Sequence, residues 1–351
     1  MCLFSFIIPV YNAAATLGRC LDSILERSTS DYEILLINDS STDNSLEICE
    51  CYANKYSQVT VYTYPNSGAG AARNRGLEKA QGKYVLFCDS DDWYNTKELN
   101  TLLDSANAEM TDIDLICFDY RKKWIDCFEE TKHFDKEFLE LNNKAERVLS
   151  VSSSILSTKC GIIIWNKIYK KELLDKNKIL FPERDKLGNL NDWGEDLCFN
   201  ILYLLVCHRI QIIEAPVYVN CLRTTKSGTE EHYYYKKSPL DHISKMLLSL
   251  TDTYIFQRYS KDNFNDIFLY SIYSYFLWST QSSNIKNTRE IFYDIDNVKV
   301  VSKIIISKLF YWNKFSKNRF SKYKSKEYKF ILFYCITGNM FFYKTLCKLF
   351  L

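Results

Sequence analysis

Three carboxylates stand within four residues at Asp89-Ser90-Asp91-Asp92, directly after the apolar stretch that ends in Phe87-Cys88. Acids crowded at the end of a buried segment repel one another and lose hydration, which is costly unless a cation neutralises them. A divalent ion does this most directly. Mg2+ or Mn2+ takes oxygen ligands from one or two carboxylates and fills its shell with phosphate oxygens and water. Taken alone, the same residues are equally a solvated turn in which Asp92 caps a helix from Asn95 onward. Two further groups carry charge in places where chemistry could use it. Asp39 lies in the polar turn Asn38-Asp39-Ser40-Ser41-Thr42-Asp43, where Asp43 reads as a cap for a helix at Ser45. Glu195-Asp196 opens an apolar, periodic stretch, a position where a helix dipole stabilises acids.

These groups need rigid elements beneath them, and the first 120 residues supply a regular alternation. Phe4–Val10, Glu33–Ile37, Val59–Tyr64, Tyr84–Cys88 and Asp114–Phe118 read as strands. Between them lie a helix with Leu17, Leu21, Ile24 and Leu25 on one stripe, one with Leu46, Cys49, Tyr52 and Ala53, and one over Ala71–Ala80 that Gly82 stops. Repeated strand and helix imply an α/β fold with an open, mostly parallel sheet and helices on both faces. Ligands of such sheets bind beyond the carboxyl ends of the strands, where Asp39 and Asp89 both fall. Past residue 120 the alternation weakens. Ala145–Leu156 and Trp193–Val206 read as helices, Gln211–Ile213 and Pro216–Asn220 as short strands, and residues 231–351 as a helical extension rich in Tyr, Phe and Lys.

Four segments in order, Ser5-Phe6-Ile7-Ile8-Pro9-Val10-Tyr11-Asn12, Glu33 to Ser45, Asn66-Ser67-Gly68-Ala69-Gly70-Ala71-Ala72-Arg73-Asn74-Arg75-Gly76 and the acidic cluster, resemble glycosyltransferase family 2 with its GT-A fold. The resemblance is dense over residues 4–94 and resumes at Trp165-Asn166-Lys167-Ile168-Tyr169 and Trp193-Gly194-Glu195-Asp196. It implies a catalytic domain over 1–230, divided into a nucleotide-binding half (1–120) and an acceptor and base half (121–230). It further implies a UDP-sugar donor, Mn2+ or Mg2+ as cofactor, and an inverting single displacement through an oxocarbenium-like transition state. Carried over by position, Pro9 and Tyr11 stack on the uracil ring and Asp39 accepts a hydrogen bond from the base. Arg73, whose planar fork suits either anion, neutralises the pyrophosphate or holds the acidic cluster. Asp89 meets the ribose and Asp91 ligates the metal, while Asp92 orients Asp91 or a metal-bound water, or caps. Asp196 takes the catalytic-base position, Glu195 contacts the acceptor or donor sugar, and Lys167 and Trp165 belong to the shared segment, Trp165 equally as packing. Arg223 is either a phosphate contact or a solvated loop charge.

Composition narrows the setting. The formal net charge of +2 hides about +11 over residues 299–351 and about −9 before them. Such a basic, aromatic tail either lies on an anionic membrane surface or packs on the catalytic domain with its lysines solvated. The surface reading leads to a protein on the inner face of the cell membrane whose glycan acceptor is lipid-linked, as in bacterial O-antigen, capsule or related surface-polysaccharide assembly. The tail carries no nucleic-acid recognition motif. The opening residues lack a positive n-region and read as a buried strand rather than a signal peptide. Thirteen cysteines without a pairing framework or zinc spacing fit a reducing cytoplasm. Two rival classes remain: a non-catalytic sugar-nucleotide-binding protein of the same fold, and an NAD-linked oxidoreductase. The second rests on Gly68-Ala69-Gly70, which begins like a dinucleotide fingerprint but has Arg73 at the sixth position and follows the third strand, not the first.

Overall fold

The structure, a computed structural model, describes residues 2–26, 31–109, 113–123, 128–131, 137–141, 163–182 and 195–221, together with Thr253. The expected helix at 145–156, the loop at 223–230 and the helical region 231–351 with its basic tail lie outside the described residues. Among the described residues no helix is long and apolar enough to cross a membrane.

The N-terminal alternation folds as βαβ units. β1 (Phe4–Val10), α1 (Leu17–Leu25), β2 (Tyr32–Asn38), α2 (Ser45–Lys55), β3 (Val59–Thr63), α3 (Ala69–Lys79) and β4 (Tyr84–Phe87) follow in order. Next come β5 (Trp93–Tyr94), α4 (Thr96–Glu109), β6 (Leu115–Lys123), β7 (Phe128–Thr131), β8 (Glu137–Glu140), β9 (Lys167–Lys170), α5 (Lys171–Asn177), α6 (Glu195–Val206) and β10 (Arg209–Cys221). The described strands form one sheet in the order β3-β2-β1-β4-β9-β6-β10-β5, with β7 on β6 and β8 on β10.

Strand periodicity decides which helix packs where. Phe4, Phe6, Ile8 and Val10 point to one face and share a core with Leu17, Cys20, Leu21 and Ile24 of α1, Cys49 of α2 and Leu99, Leu102 and Leu103 of α4. Ile7 points to the other face, where a Cβ on Gly76 of α3 would lie 2.3 Å from its Cγ2. Only glycine lets α3 approach β1 so closely. Phe87, Phe181 and Phe199 fill the same face, the last two stacked at 4.1 Å. The chain winds from β1 outward to β3 and then returns to place β4 on the far side of β1. Right-handed crossovers therefore put α3 opposite α1 and α2, and the reversal leaves a crevice beyond the carboxyl ends of β1 and β4.

As expected of a mostly parallel sheet, β3, β2, β1, β4, β6 and β10 run in one direction; β9 is inserted antiparallel between β4 and β6, β5 and β8 run antiparallel to β10, and β7 to β6. Two expectations need correction. The two short strands expected at 211–213 and 216–220 are one strand, whose register slips around Pro216. Proline has no N–H to give the ladder, yet the chain stays extended through it. Gly82 does not end α3 with a left-handed cap; Ala80 ends it in extended conformation, and Gly68 is the described glycine with positive φ. Gly82 is required for another reason: a Cβ there would lie 2.6 Å from the Ser5 amide nitrogen of β1.

Candidate active site

The crevice is built around one guanidinium. Arg73, on the second turn of α3 and 5% exposed, donates from Nη2 to Asp89 Oδ1 at 2.9 Å and from Nη1 to Glu195 Oε1 at 3.0 Å and Asp196 Oδ1 at 3.2 Å. Asp89 lies two residues beyond β4, whereas Glu195 and Asp196 form the first turn of α6. Residues more than one hundred positions apart thus meet on a single side chain. Burial alone would favour a neutral guanidine, but Asp196, Asp89 and Glu195 outweigh it and raise the Arg73 pKa further, so the group is a permanent cation. Of the two roles expected of Arg73, the described structure shows it holding the acids.

Asp196 is the carboxylate of this group whose protonation is displaced toward neutral pH. Burial pushes its pKa up to about 6, with Arg73 opposing that rise, Asp89 adding to it, and Lys167 and the Ile164 amide N–H opposing it again. It is thus ionised near neutral pH yet basic enough to accept a proton, the balance that general-base catalysis needs. Its side chain keeps 26% exposure and that of Asp89 31%, so both carboxylates face the crevice.

Within the acidic turn the three aspartates separate. Asp92 is 1% exposed and accepts hydrogen bonds from Tyr218 Oη at 2.9 Å, Asn220 Nδ2 at 3.1 Å and the Cys221 amide at 2.7 Å. The Asp89 amide donates to the same Tyr218 hydroxyl at 3.1 Å. Asp92 therefore ties the turn to the end of β10 rather than capping α4, because its carboxylate faces inward to the sheet. Burial, together with Asp91 and Asp89, raises its pKa well above the ordinary carboxylate range. Asp91 is half-buried, and its carbonyl accepts from Arg19 Nη2 at 2.9 Å, a guanidinium that also lies 3.8 Å over the Trp93 ring. Among the described residues no three Asp, Glu, Cys or His side chains converge as a complete metal cage. What is present is the half-buried carboxylate of Asp91, a hard oxygen ligand that fits Mg2+ or Mn2+ arriving with a diphosphate to supply the remaining ligands.

Asp39, 2% exposed at the end of β2, accepts from the Ser67 and Gly68 amides at 3.0 and 2.8 Å and from Arg75 Nη1 at 3.2 Å. Its carboxylate thereby sits on the N-terminus of α3 and orders the loop before it. That helix start is where a dinucleotide fold would bind pyrophosphate, and here an internal carboxylate holds it. Pro9 is half-buried on β1, and Tyr11, just beyond, is 53% exposed beside the crevice. Asp43 accepts from the Ser45 amide at 3.0 Å, the expected capping turn, and from the Ala14 amide at 3.0 Å. Lys167 is fully buried, donating to the Ile163 carbonyl and to Asn166 Oδ1 at 2.8 Å. Trp165 packs, stacked on Tyr218 at 4.5 Å and edge-on to Tyr120. Arg223 lies outside the described residues.

Sequence reading missed two supports. Asn74 pairs with Phe181 through both amide atoms, at 2.9 and 2.8 Å, fixing the segment that follows α5 against α3. Tyr218 lies in a stretch that reads as a strand and also resembles the family's diphosphate loop, but its hydroxyl finds Asp89 and Asp92 only once β10 folds beside them. The signal available for Asn74 was its place between Arg73 and Arg75, directly after the run of small residues that opens the helix.

Comparison with known proteins bears on the family and the fold. Residues 5–170 match the family model for Glycosyl transferase family 2. The chain is 34% identical over 206 residues to the uncharacterized glycosyltransferase YibD of Escherichia coli K12, covering 56% of this chain and 57% of that protein. It is 31% identical over 244 residues to the poly(ribitol-phosphate) beta-glucosyltransferase of Bacillus spizizenii, covering 68% of this chain and 33% of that one. The crystal structure of S. aureus TarS 1-349 in complex with UDP-GlcNAc superposes with a TM-score of 0.60 at 21% identity, over 87% of this chain and 83% of that chain, a likeness of fold. The chain spans less than two thirds of the length of YibD. With the motif segments, the fold and the family match in agreement, the chain carries a glycosyl transferase family 2 domain over residues 5–170.

Proposed function

We propose that this chain is a metal-dependent, inverting hexosyltransferase that moves a sugar from a UDP-sugar to a hydroxyl of a glycan acceptor. The observation that carries the proposal is the Arg73 clamp, which sets Asp89, at the mouth of the strand crevice, and Asp196, at the start of α6, on the same guanidinium. In this reading Asp89 contacts the ribose, Pro9 and Tyr11 face the base with Asp39 beneath them, and Asp91 holds a divalent ion against the diphosphate. The ion would stabilise negative charge on the departing nucleoside diphosphate. Asp196 accepts the proton of the attacking hydroxyl. Arg73 orients that carboxylate and keeps it ionised, and Glu195 beside it contacts a sugar. Residues 1–230 form the catalytic domain in this assignment.

The activity of the B. spizizenii relative, a poly(ribitol-phosphate) beta-glucosyltransferase, and the UDP-GlcNAc bound to S. aureus TarS favour a UDP-sugar and a surface-polymer acceptor. With the basic tail, they support a lipid-linked acceptor at the inner face of the cell membrane. The test is a panel of UDP-sugars with Mn2+ or Mg2+, scored for UDP release and then for transfer to synthetic diphospholipid-linked acceptors. Metal-dependent transfer that EDTA abolishes and added metal restores is expected. UDP binding without transfer from any donor would instead support a non-catalytic binding protein, and partition into anionic liposomes that is unchanged by deletion of residues 299–351 would remove the membrane assignment.

A further inference from the structure

A fully buried lysine is expensive unless its charge serves a neighbour. Lys167 lies on β9 between β4 and β6, with no exposed surface. Its ammonium donates to the Ile163 carbonyl and to Asn166 Oδ1 at 2.8 Å, so it closes the turn that precedes its own strand. The same turn touches the helix that carries Asp196. Asn200, one helical turn after Asp196, reaches the Ile163 carbonyl with Nδ2 at 3.4 Å and accepts from Tyr169 Oη of β9 at 2.7 Å. Asn200 and Asp196 are i, i+4 neighbours on one face of α6, so the Ile163 carbonyl shared by Lys167 and Asn200 ties this turn to the face that carries the Asp196 carboxylate.

From this arrangement we infer that Lys167 is the positioning residue of Asp196: its ammonium braces the Ile163–Asn166 turn to which Asn200 fastens the Asp196 helix, and supplies a second buried positive charge to the carboxylate. The inference rests on the proposed role of Asp196 and deepens it. Arg73 approaches the carboxylate from the α3 side and Lys167 from the β9 side, while Asp89 from β4 and Glu195 on α6 are the acids that oppose them. Tyr169, buried on β9, is the remaining titratable group close enough to feel Asp196, and burial holds it neutral. Two cations against three carboxylates leave the pocket negative, so removing either cation should favour protonation of the base.

Lys167→Gln separates charge from bracing, because the amide can still donate to the Ile163 carbonyl. The pH profile of UDP-sugar turnover in this variant should show its acid limb moved up by about one pH unit, with rate at pH 6 lowered about fivefold. The KM for the donor should stay within about twofold, since neither Asp89 nor Asp91 is disturbed. Lys167→Met, which also removes the brace, should move the limb further, and Lys167→Arg should bring it back toward wild type. If the methionine variant does not fold, the glutamine variant decides alone. An acid limb that coincides with wild type in folded Lys167→Gln would overturn the inference. A parallel readout needs no turnover: the 13Cγ resonance of Asp196, assigned by its loss in Asp196→Asn, should titrate at higher pH in Lys167→Gln. If wild type transfers no sugar but this resonance still moves, the transfer assignment fails while the positioning role of Lys167 stands.

Discussion

Replacing Arg73 by methionine removes one buried positive charge from three carboxylates while keeping most of the side-chain volume. Arg73 contacts Asp89, Glu195 and Asp196 at 2.9, 3.0 and 3.2 Å. Breaking a buried pair from one side costs about 3–5 kcal/mol, because the remaining charge is left uncompensated. Two of these carboxylates face the crevice and can recover hydration, so a loss near the lower end, about 3 kcal/mol, is expected at pH 8. At pH 5 the loss should shrink, because the stranded acids take up protons. Activity should follow a related pattern. Asp196 titrates at about 6, so it is largely ionised at pH 7. Losing an opposite charge at hydrogen-bond distance raises a carboxylate pKa by about 1–3 units, which would cut the ionised fraction at pH 7 from about nine tenths to between about one half and one hundredth. The assays are urea unfolding at several pH values and the pH profile of kcat/KM for UDP release. The signature is a rate defect in Arg73→Met that recovers as pH rises. A variant with wild-type stability and an unmoved acid limb would refute the claim that this guanidinium governs the base.

The raised pKa of Asp196 makes it a stability liability, which gives a second prediction with a defined sign. Its folded pKa of about 6 lies above the ordinary value of 3.8, so the folded state favours the protonated form, and the stability it contributes at low pH is lost as pH rises from about 4 through about 6. Asp196→Asn should therefore abolish transfer yet unfold at higher urea above pH 7, by up to about 3 kcal/mol, with no gain below pH 4; equal stability at both pH values would contradict the assignment. Asp92→Ala should destabilise by about 1–3 kcal/mol through the donors of Tyr218, Asn220 and Cys221 that it strands, and should weaken metal-dependent UDP binding by loosening the turn that carries Asp91. Calorimetry and a UDP titration with and without Mn2+ measure both effects, and a variant that keeps both values would show the latch to be dispensable. Tyr11→Ala should leave thermal stability unchanged, since the ring is exposed, and cost about 1–3 kcal/mol of UDP affinity if the uracil stacks there; unchanged affinity would exclude that stacking role.

The sequence by itself determined the elements whose pattern is local. β1 was read with its observed limits because a strand buried on both faces shows as a continuous apolar run, and the helices between β1 and β4 followed from their stripes. The acidic groups at strand ends were legible for the same reason, since their position depends only on where a periodic run stops. The motif segments added the family. What the sequence left open depended on contacts between distant residues. Asp92 looked like a cap, and only the folding of β10 beside the acidic turn gave its carboxylate three donors and turned it inward. The antiparallel strands β5, β7, β8 and β9 were hidden because they are two to four residues long and lack the helical crossovers that mark parallel pairs. Arg73 could have met a pyrophosphate or the acids. The close packing of α3 on β1 at Gly76, with α6 beginning on the same face, set its guanidinium between Asp89 and Asp196, and that placement is a property of the tertiary structure alone.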